Sequence, residues 1–197
     1  MIGWLNIDII YILCYFNFIF NLEYCNTLME LKKLSPSQVT TLRDFPVHSA
    51  QVLNDYFGIF ESGRGEELPP CPVIHKDLVT PHFKEPLTSL FLEHVKNNPE
   101  AEFFLLDGSH RTTAATLTRS TLSVTLLSSD EDIRQAKQVK YKGELYYLRL
   151  EETIDEAIAN LIAHFRGTKA FQTVQQKTDK MADEEVIPHT MIRCYRK

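Results

Sequence analysis

The chain has 197 residues, of which 44% are hydrophobic and 24% charged, and its 26 acidic against 21 basic residues give a formal net charge of −5. This length fits one domain with appendages. The composition supports a buried core and excludes wholesale disorder, collagen, coiled-coil and polytopic membrane architectures. The acidic balance, with a sequence pI of about 5.8, is a weak argument against a protein that coats DNA through a uniformly positive surface.

Residues 1–28 differ in composition from the rest of the chain. Their apolar run is shorter than a membrane-spanning helix requires and contains Asp8 and Asn17. A secretory signal would need a basic start and a small-residue cleavage site, and both are missing. Three interpretations stay open: a dispensable leader, a membrane anchor through residues 7–22, and an extra packed element. We predict that the working protein begins at Met29 and that its folded domain does not insert stably into a membrane.

A pattern typical of globular proteins follows. We predict strands at Glu30–Leu34, Cys71–Ile74, Phe103–Asp107, Leu122–Leu127 and Glu144–Leu150. We predict helices opening at Ser35 and over Val47–Phe60, Leu87–Val95, Ser109–Arg119 and Thr153–Phe165, with a short helix after Asp130 and a helical tail over Thr168–Lys197. The strand from Phe103 is nearly continuously apolar, which indicates burial on both faces.

The four cysteines are scattered along the chain at Cys14, Cys25, Cys71 and Cys194. They form no C-x-x-C pair, and no His or Cys completes a zinc-finger spacing. We therefore expect no structural disulfide, and this usage is typical of a reducing compartment such as the cytoplasm.

The most informative stretch runs from Asp107 to Ala115, between the buried strand and a helix. At such a junction the free backbone N–H groups and the dipole of the helix point to one spot, which suits an anion. Gly108 would let a phosphate approach the backbone. Hydrogen bonds would come from the hydroxyls of Ser109, Thr112 and Thr113 and from the guanidinium of Arg111.

Three residues of the motif have further predicted roles. Asp107 is expected either to cap the turn or to meet a metal ion or a substrate hydroxyl, and His110 to orient a ligand or donate to it. These two are the candidate catalytic residues. Arg111 is expected to face the surface, so that its replacement by alanine would abolish ligand binding and leave the fold intact.

The run from Leu105 to Ala115, with the strand Pro72-Val73-Ile74 before it, resembles the ParB/sulfiredoxin superfamily, whose pattern is an apolar strand, D-G-x-H-R and then Ala-Ala. The resemblance spans residues 29–129. It implies a small α+β domain with a mixed sheet, in which the Gly-x-His-Arg turn binds nucleotide or another phosphate. Residues 130–197 would then form a strand and a helical extension.

The superfamily holds several chemistries. Sulfiredoxins carry a reactive cysteine where this chain has Ser109, so thiol repair is not predicted. Free-serine kinases resemble the chain through the same turn but use an early glutamate as base; the matching position is Gln38, which leaves Glu30, Asp44 or Asp107 for that role. ParB-type proteins bind CTP at this turn and continue into a helix-turn-helix, which is not evident after Ser129.

We therefore predict a protein that binds a nucleotide (ATP, ADP or CTP) or a phosphorylated metabolite, with Mg²⁺ to neutralise phosphoryl charge and with phosphotransfer or nucleotide hydrolysis left open. The alternative is a ParB-like nucleic-acid-binding regulator or nuclease-like component. Its basic face would be formed by Arg64, Lys76, Lys84, Arg111 and Arg119. A protein-interaction scaffold and a homodimer also stay open.

Overall fold

The computed structural model of the chain describes residues 30–42, 45–47, 49–141 and 144–197. Within these ranges the chain has an α+β fold, as the resemblance implies. The strands are β1 (Leu31–Leu34), β2 (Val39–Thr40), β3 (Cys71–His75), β4 (Phe103–Leu105), β5 (Leu122–Leu126), β6 (Gln138–Tyr141) and β7 (Glu144–Tyr147). The predicted leader over residues 1–28, the predicted start at Met29, and Asp44 lie outside the described residues.

Helices account for most of the regular secondary structure in the described residues. They are α1 (Ala50–Glu61), α2 (Lys76–Val79), α3 (Leu87–Asn97), α4 (Ser109–Leu117), α5 (Asp130–Lys137), α6 (Ile154–Thr168), α7 (Val174–Asp183) and α8 (His189–Arg196). The longest of them has 15 residues. No helix within the described ranges combines the length and the apolar character that crossing a bilayer requires.

Five strands form one mixed sheet in the order β1-β5-β3-β4-β2, and β6 and β7 form a separate hairpin. Within the sheet β2 runs parallel to β4, with Val39 opposite Phe103 and Thr40 opposite Phe104. Strand β3 is antiparallel to β4. The carboxyl ends of β2 and β4 therefore lie side by side at one edge of the sheet, next to the amino end of β3.

Helix α4 occupies the centre of the molecule. Every residue from His110 to Leu117 is buried. On the sheet side Ala115 packs in one cluster with residues of β3 and β5, and on the other side Ala114 and Leu117 pack with α1, α7 and α8. Small side chains at Ala114 and Ala115 let these layers approach the helix backbone closely.

Several predicted boundaries differ from the observed ones. The helix expected from Ser35 is only a single 3₁₀ turn, Pro36–Gln38, because the chain enters β2 directly afterwards. Strand β4 ends at Leu105 rather than Asp107, since Asp107 already belongs to the turn before α4. The predicted tail is two helices, and α2, β2 and β6 were not predicted.

The C-terminal extension shares its core with the residues before it. Strand β2 forms a bridge with the residue directly before α7, Thr40 opposite Thr173. Of the apolar residues near the chain's end, three are buried in the cluster that contains Leu53 and Leu117, namely Ile187, Met191 and Ile192. The extension is therefore part of the packing around α4.

One buried histidine, His94, lies on α3 and faces β2. The ring of His94 is 7% exposed and lies against Phe91 and Phe171. Its Nε2 is 3.1 Å from the Thr40 hydroxyl, and its Nδ1 is 3.3 Å from the Asn98 amide nitrogen. Burial lowers the pKa of His94 from 6.5 to about 4, because the charged ring would lose its hydration.

This shift predicts that the fold weakens in mild acid. The folded ring stays neutral down to about pH 4, whereas the unfolded ring takes up a proton near pH 6.5. The free energy of unfolding should therefore fall as the pH drops from 6.5 to 4, by up to about 3 kcal/mol in all. Urea unfolding at several pH values checks this. The His94→Gln variant should lose that part of the pH dependence, and His82→Gln, at an exposed ring, should keep it.

Candidate functional site

The chain turns from β4 into α4 through Gly108, whose φ of +102° lies in the left-handed region. A side chain at this position would be strained whatever its surroundings. A Cβ there would also lie 2.6 Å from the Cys71 Sγ and 3.2 Å from the Arg111 Nη2. The backbone conformation and the packing beneath it therefore both require glycine.

Asp107 holds the turn. Its Oδ1 accepts a hydrogen bond of 2.7 Å from the Gly108 N–H. Its Oδ2 lies 3.8 Å from the Arg111 Nη2, and the side chain is 35% exposed. Of its two predicted roles, Asp107 is thus seen in the first, capping the turn, while part of the carboxylate still faces solvent.

Arg111 lies inside the fold, so the expectation that it faces the surface is wrong. The residue is 5% exposed, and its Nη1 donates to the Pro69 carbonyl at 2.7 Å. The reason is the burial of α4 on several sides, which leaves the guanidinium between the helix and the residues that lead into β3. Its charge therefore lies directly behind the turn, next to Asp107 and Gly108.

Three more predicted site residues are buried. The His110 Nε2 accepts the N–H of Ser49, at 3.2 Å, so this ring nitrogen carries no proton when the bond is made. The Thr112 hydroxyl donates back to the carbonyls of Gly108 and Ser109, at 3.2 and 3.1 Å. The Thr113 hydroxyl is fully buried, with no hydrogen-bond partner in the described part of the chain.

The partly exposed members of the predicted site are therefore Asp107, Gly108 and Ser109. They surround the first turn of α4, a helix of nine residues. Backbone N–H groups of a first turn have no acceptor within their own helix, and the helix dipole adds positive potential there. This is the geometry that suits one oxyanion on the outer side of the turn.

The cavity behind Arg111 is too small for such a ligand. It measures about 10 Å³ and is lined by Arg111, Thr112 and Cys71 among others. This volume holds about one water molecule. A phosphate group would therefore have to bind on the outer side of the turn, where Ser109 is accessible.

Cys71 packs beneath the turn as a free, buried thiol. Burial raises its pKa, the charge of Arg111 lowers it, and the charge of Asp107 raises it. Burial is the largest of these effects, so the thiol stays protonated and is a poor nucleophile. Cys194 is also a free thiol, whereas Cys14 and Cys25 lie outside the described residues.

A metal ion bound here would take most of its coordination from a bound nucleotide and water rather than from the protein. In the part of the chain that the structure describes, no three His, Cys, Asp or Glu side chains come together as a metal site. Mg²⁺ bound with a nucleotide needs only one or two protein carboxylates, because phosphate oxygens and water supply the rest. The exposed edge of Asp107 fits that requirement.

The residue at the position of the kinase glutamate, Gln38, and one of the candidate bases, Glu30, both have structural partners. The Gln38 Oε1 accepts the Ser35 N–H at 2.9 Å, which closes a capping box. Glu30 is paired with Lys32 at 3.2 Å. Of the predicted bases that the structure describes, Asp107 is the one that directly precedes the first turn of α4.

The basic face predicted for a nucleic-acid interface is incomplete, because Arg111 is buried. A second member, Arg119, caps α8 by donating to the Tyr195 carbonyl from Nε and Nη2, at 3.2 and 2.8 Å. Arg119 itself lies just beyond the end of α4 and has a φ of +58°, a conformation typical of helix ends. The next N–H, that of Ser120, donates to the Ala115 carbonyl. Arg119 thus has a structural role at the far end of α4.

Arg111→Met should now destabilise the fold, contrary to the sequence-based expectation. The variant leaves the buried Pro69 carbonyl without its donor, which costs about 2 to 3 kcal/mol of unfolding free energy. Chemical denaturation measures the loss. The exposed Arg64→Met variant is the control and should stay within about 0.5 kcal/mol of the wild type. Equal stability of the two variants would contradict the buried role of Arg111.

No protein-family model matches the chain, and no curated protein and no solved structure is significantly similar to it.

Proposed function

We propose that the chain binds the phosphate group of a nucleotide or of a phosphorylated small molecule at the first turn of α4. The observation that carries this proposal is the left-handed Gly108 between a buried strand and the amino end of a nine-residue helix, with Ser109 accessible. Such an end offers several N–H donors to one anion without a side-chain rearrangement.

Each group of the turn would have a distinct task. The first-turn N–H groups and the Ser109 hydroxyl would donate to phosphate oxygens. Arg111 would act through its charge from behind the turn, since its Nη1 is already bound to Pro69. Thr112 would hold the first turn through its bonds to the Gly108 and Ser109 carbonyls, and neither it nor Thr113 would contact the ligand, because both are buried.

Phosphoryl transfer or hydrolysis is the finer part of the proposal. Asp107 would be the base of that reaction or the Mg²⁺ ligand, through Oδ2, because Oδ1 already accepts the Gly108 N–H. His110 would act as a positioning residue, because its Nε2 accepts the N–H of Ser49, where α1 begins. Mg²⁺ would supply neutralisation of phosphoryl charge when bound.

A small-molecule phosphate is favoured over nucleic acid by the burial of Arg111. A basic surface that binds a phosphate backbone needs several exposed cations that act together. With Arg111 inside the fold, the predicted surface loses one of its five cations, and the exposed Arg64 is partly neutralised by Glu67 at 3.4 Å.

Isothermal titration with ATP, ADP and CTP in the presence of Mg²⁺ tests the proposal, and we expect at least one of them to bind. The discriminating variants are Ser109→Asp and Ser109→Asn, which differ in charge but hardly in size. The aspartate should suit the helix dipole and leave stability unchanged or raised, yet it should repel a phosphate. We expect at least tenfold weaker binding for Ser109→Asp than for Ser109→Asn, about 1.4 kcal/mol.

Two results would refute the proposal. One is a folded wild-type chain that binds none of the three nucleotides. The other is binding that the two Ser109 variants weaken equally, since the anion would then lie elsewhere.

A further inference from the structure

Lys177 is a lysine with no exposed surface at all. It lies on α7 in the stripe that faces the core, together with Val174, Thr178 and Met181. A buried ammonium group loses its hydration, and its partners must offset that cost. Its presence in an otherwise apolar and hydroxyl-bearing stripe calls for a role beyond filling space.

The ammonium group reaches strand β2. The Lys177 Nζ donates to the Thr41 Oγ1 at 3.4 Å, and the Thr41 N–H donates to the Gln172 carbonyl at 3.0 Å. Thr41 directly follows β2 and is itself buried. The amino end of α7 is therefore joined to the carboxyl end of β2 by both a main-chain and a side-chain bond.

This junction lies at the end of the sheet from which the proposed phosphate-binding turn departs. Strands β2 and β4 are parallel, so Thr41 continues β2 at the edge where Leu105 ends β4. The chain leaves that same edge through Asp107 and Gly108. Helix α7 also packs directly on α4, with Met181 and Leu117 in one cluster. Lys177 thus links the helix that supports α4 with the strand next to the turn.

We infer that Lys177 is a positioning residue for the phosphate site, which fixes the carboxyl ends of β2 and β4 relative to α4. The inference rests on the proposed function for its effect on binding. Under this inference the C-terminal extension supports the site from behind, and none of its residues contacts the ligand.

Removing either partner of the Lys177 to Thr41 bond should loosen the turn. The variants are Lys177→Met and Thr41→Val in the full chain, and Thr41→Ser keeps the acceptor oxygen. Thr178→Val is the matched control: Thr178 is equally buried on the same stripe, but its hydroxyl donates to the Val174 carbonyl within α7. The first measurement is amide hydrogen exchange at residues 105–111 without ligand, and the second is titration with Mg²⁺ and each of ATP, ADP and CTP.

We expect Lys177→Met and Thr41→Val to raise exchange at the turn at least tenfold and to weaken nucleotide binding by a similar factor. Thr41→Ser and Thr178→Val should stay close to the wild type in both measurements. The inference is overturned if Thr41→Val leaves exchange at the turn unchanged, or if Thr178→Val raises it equally. If Lys177→Met does not fold, Thr41→Val alone decides. A wild-type chain that binds no nucleotide refutes the proposed function, and the exchange data then still show whether Lys177 controls the turn.

Discussion

The whole structure depends on the burial of α4 between the five-stranded sheet and the helices α1, α7 and α8. Small side chains at Ala114 and Ala115 allow this, because bulkier ones would hold the layers apart. A helix that is buried on both sides has a fixed orientation relative to the sheet, and the amino end of α4 is held where β4 ends. The position of the first turn is therefore set by core packing rather than by a surface loop.

The same burial changes what the motif's side chains can do. Arg111 donates to the Pro69 carbonyl and cannot project into solvent, while His110 accepts the N–H of Ser49. The groups left for a ligand are the main-chain donors, Ser109 and the outer edge of Asp107. An anion site made chiefly of main-chain N–H groups needs a rigid turn, since each donor must keep its direction without a ligand present.

In the proposed site, the C-terminal helices would supply part of that rigidity. Helix α7 covers α4, and its buried Lys177 is bound to Thr41 beside the carboxyl end of β4. The aromatic layer around His94 holds the other side of β2 through the Thr40 hydroxyl. The last residue of β2 and the residue directly after it are thus each held by a buried ionisable side chain from a different helix, which explains how a strand of two residues can keep its place.

The sequence by itself determined the order of most strands and helices, the strand-to-helix turn at Gly108 and the helical character of the tail, because periodicity and glycine conformation are local properties. Packing decided that Arg111 points inward, that β2 exists, and that Lys177 lies in the core. The sequence did carry one signal for the burial of Lys177, because Lys177 recurs at helical spacing with Val174 and Met181. Which side chains of a motif face solvent depends on what covers the helix, and only residues distant in the chain supply that cover.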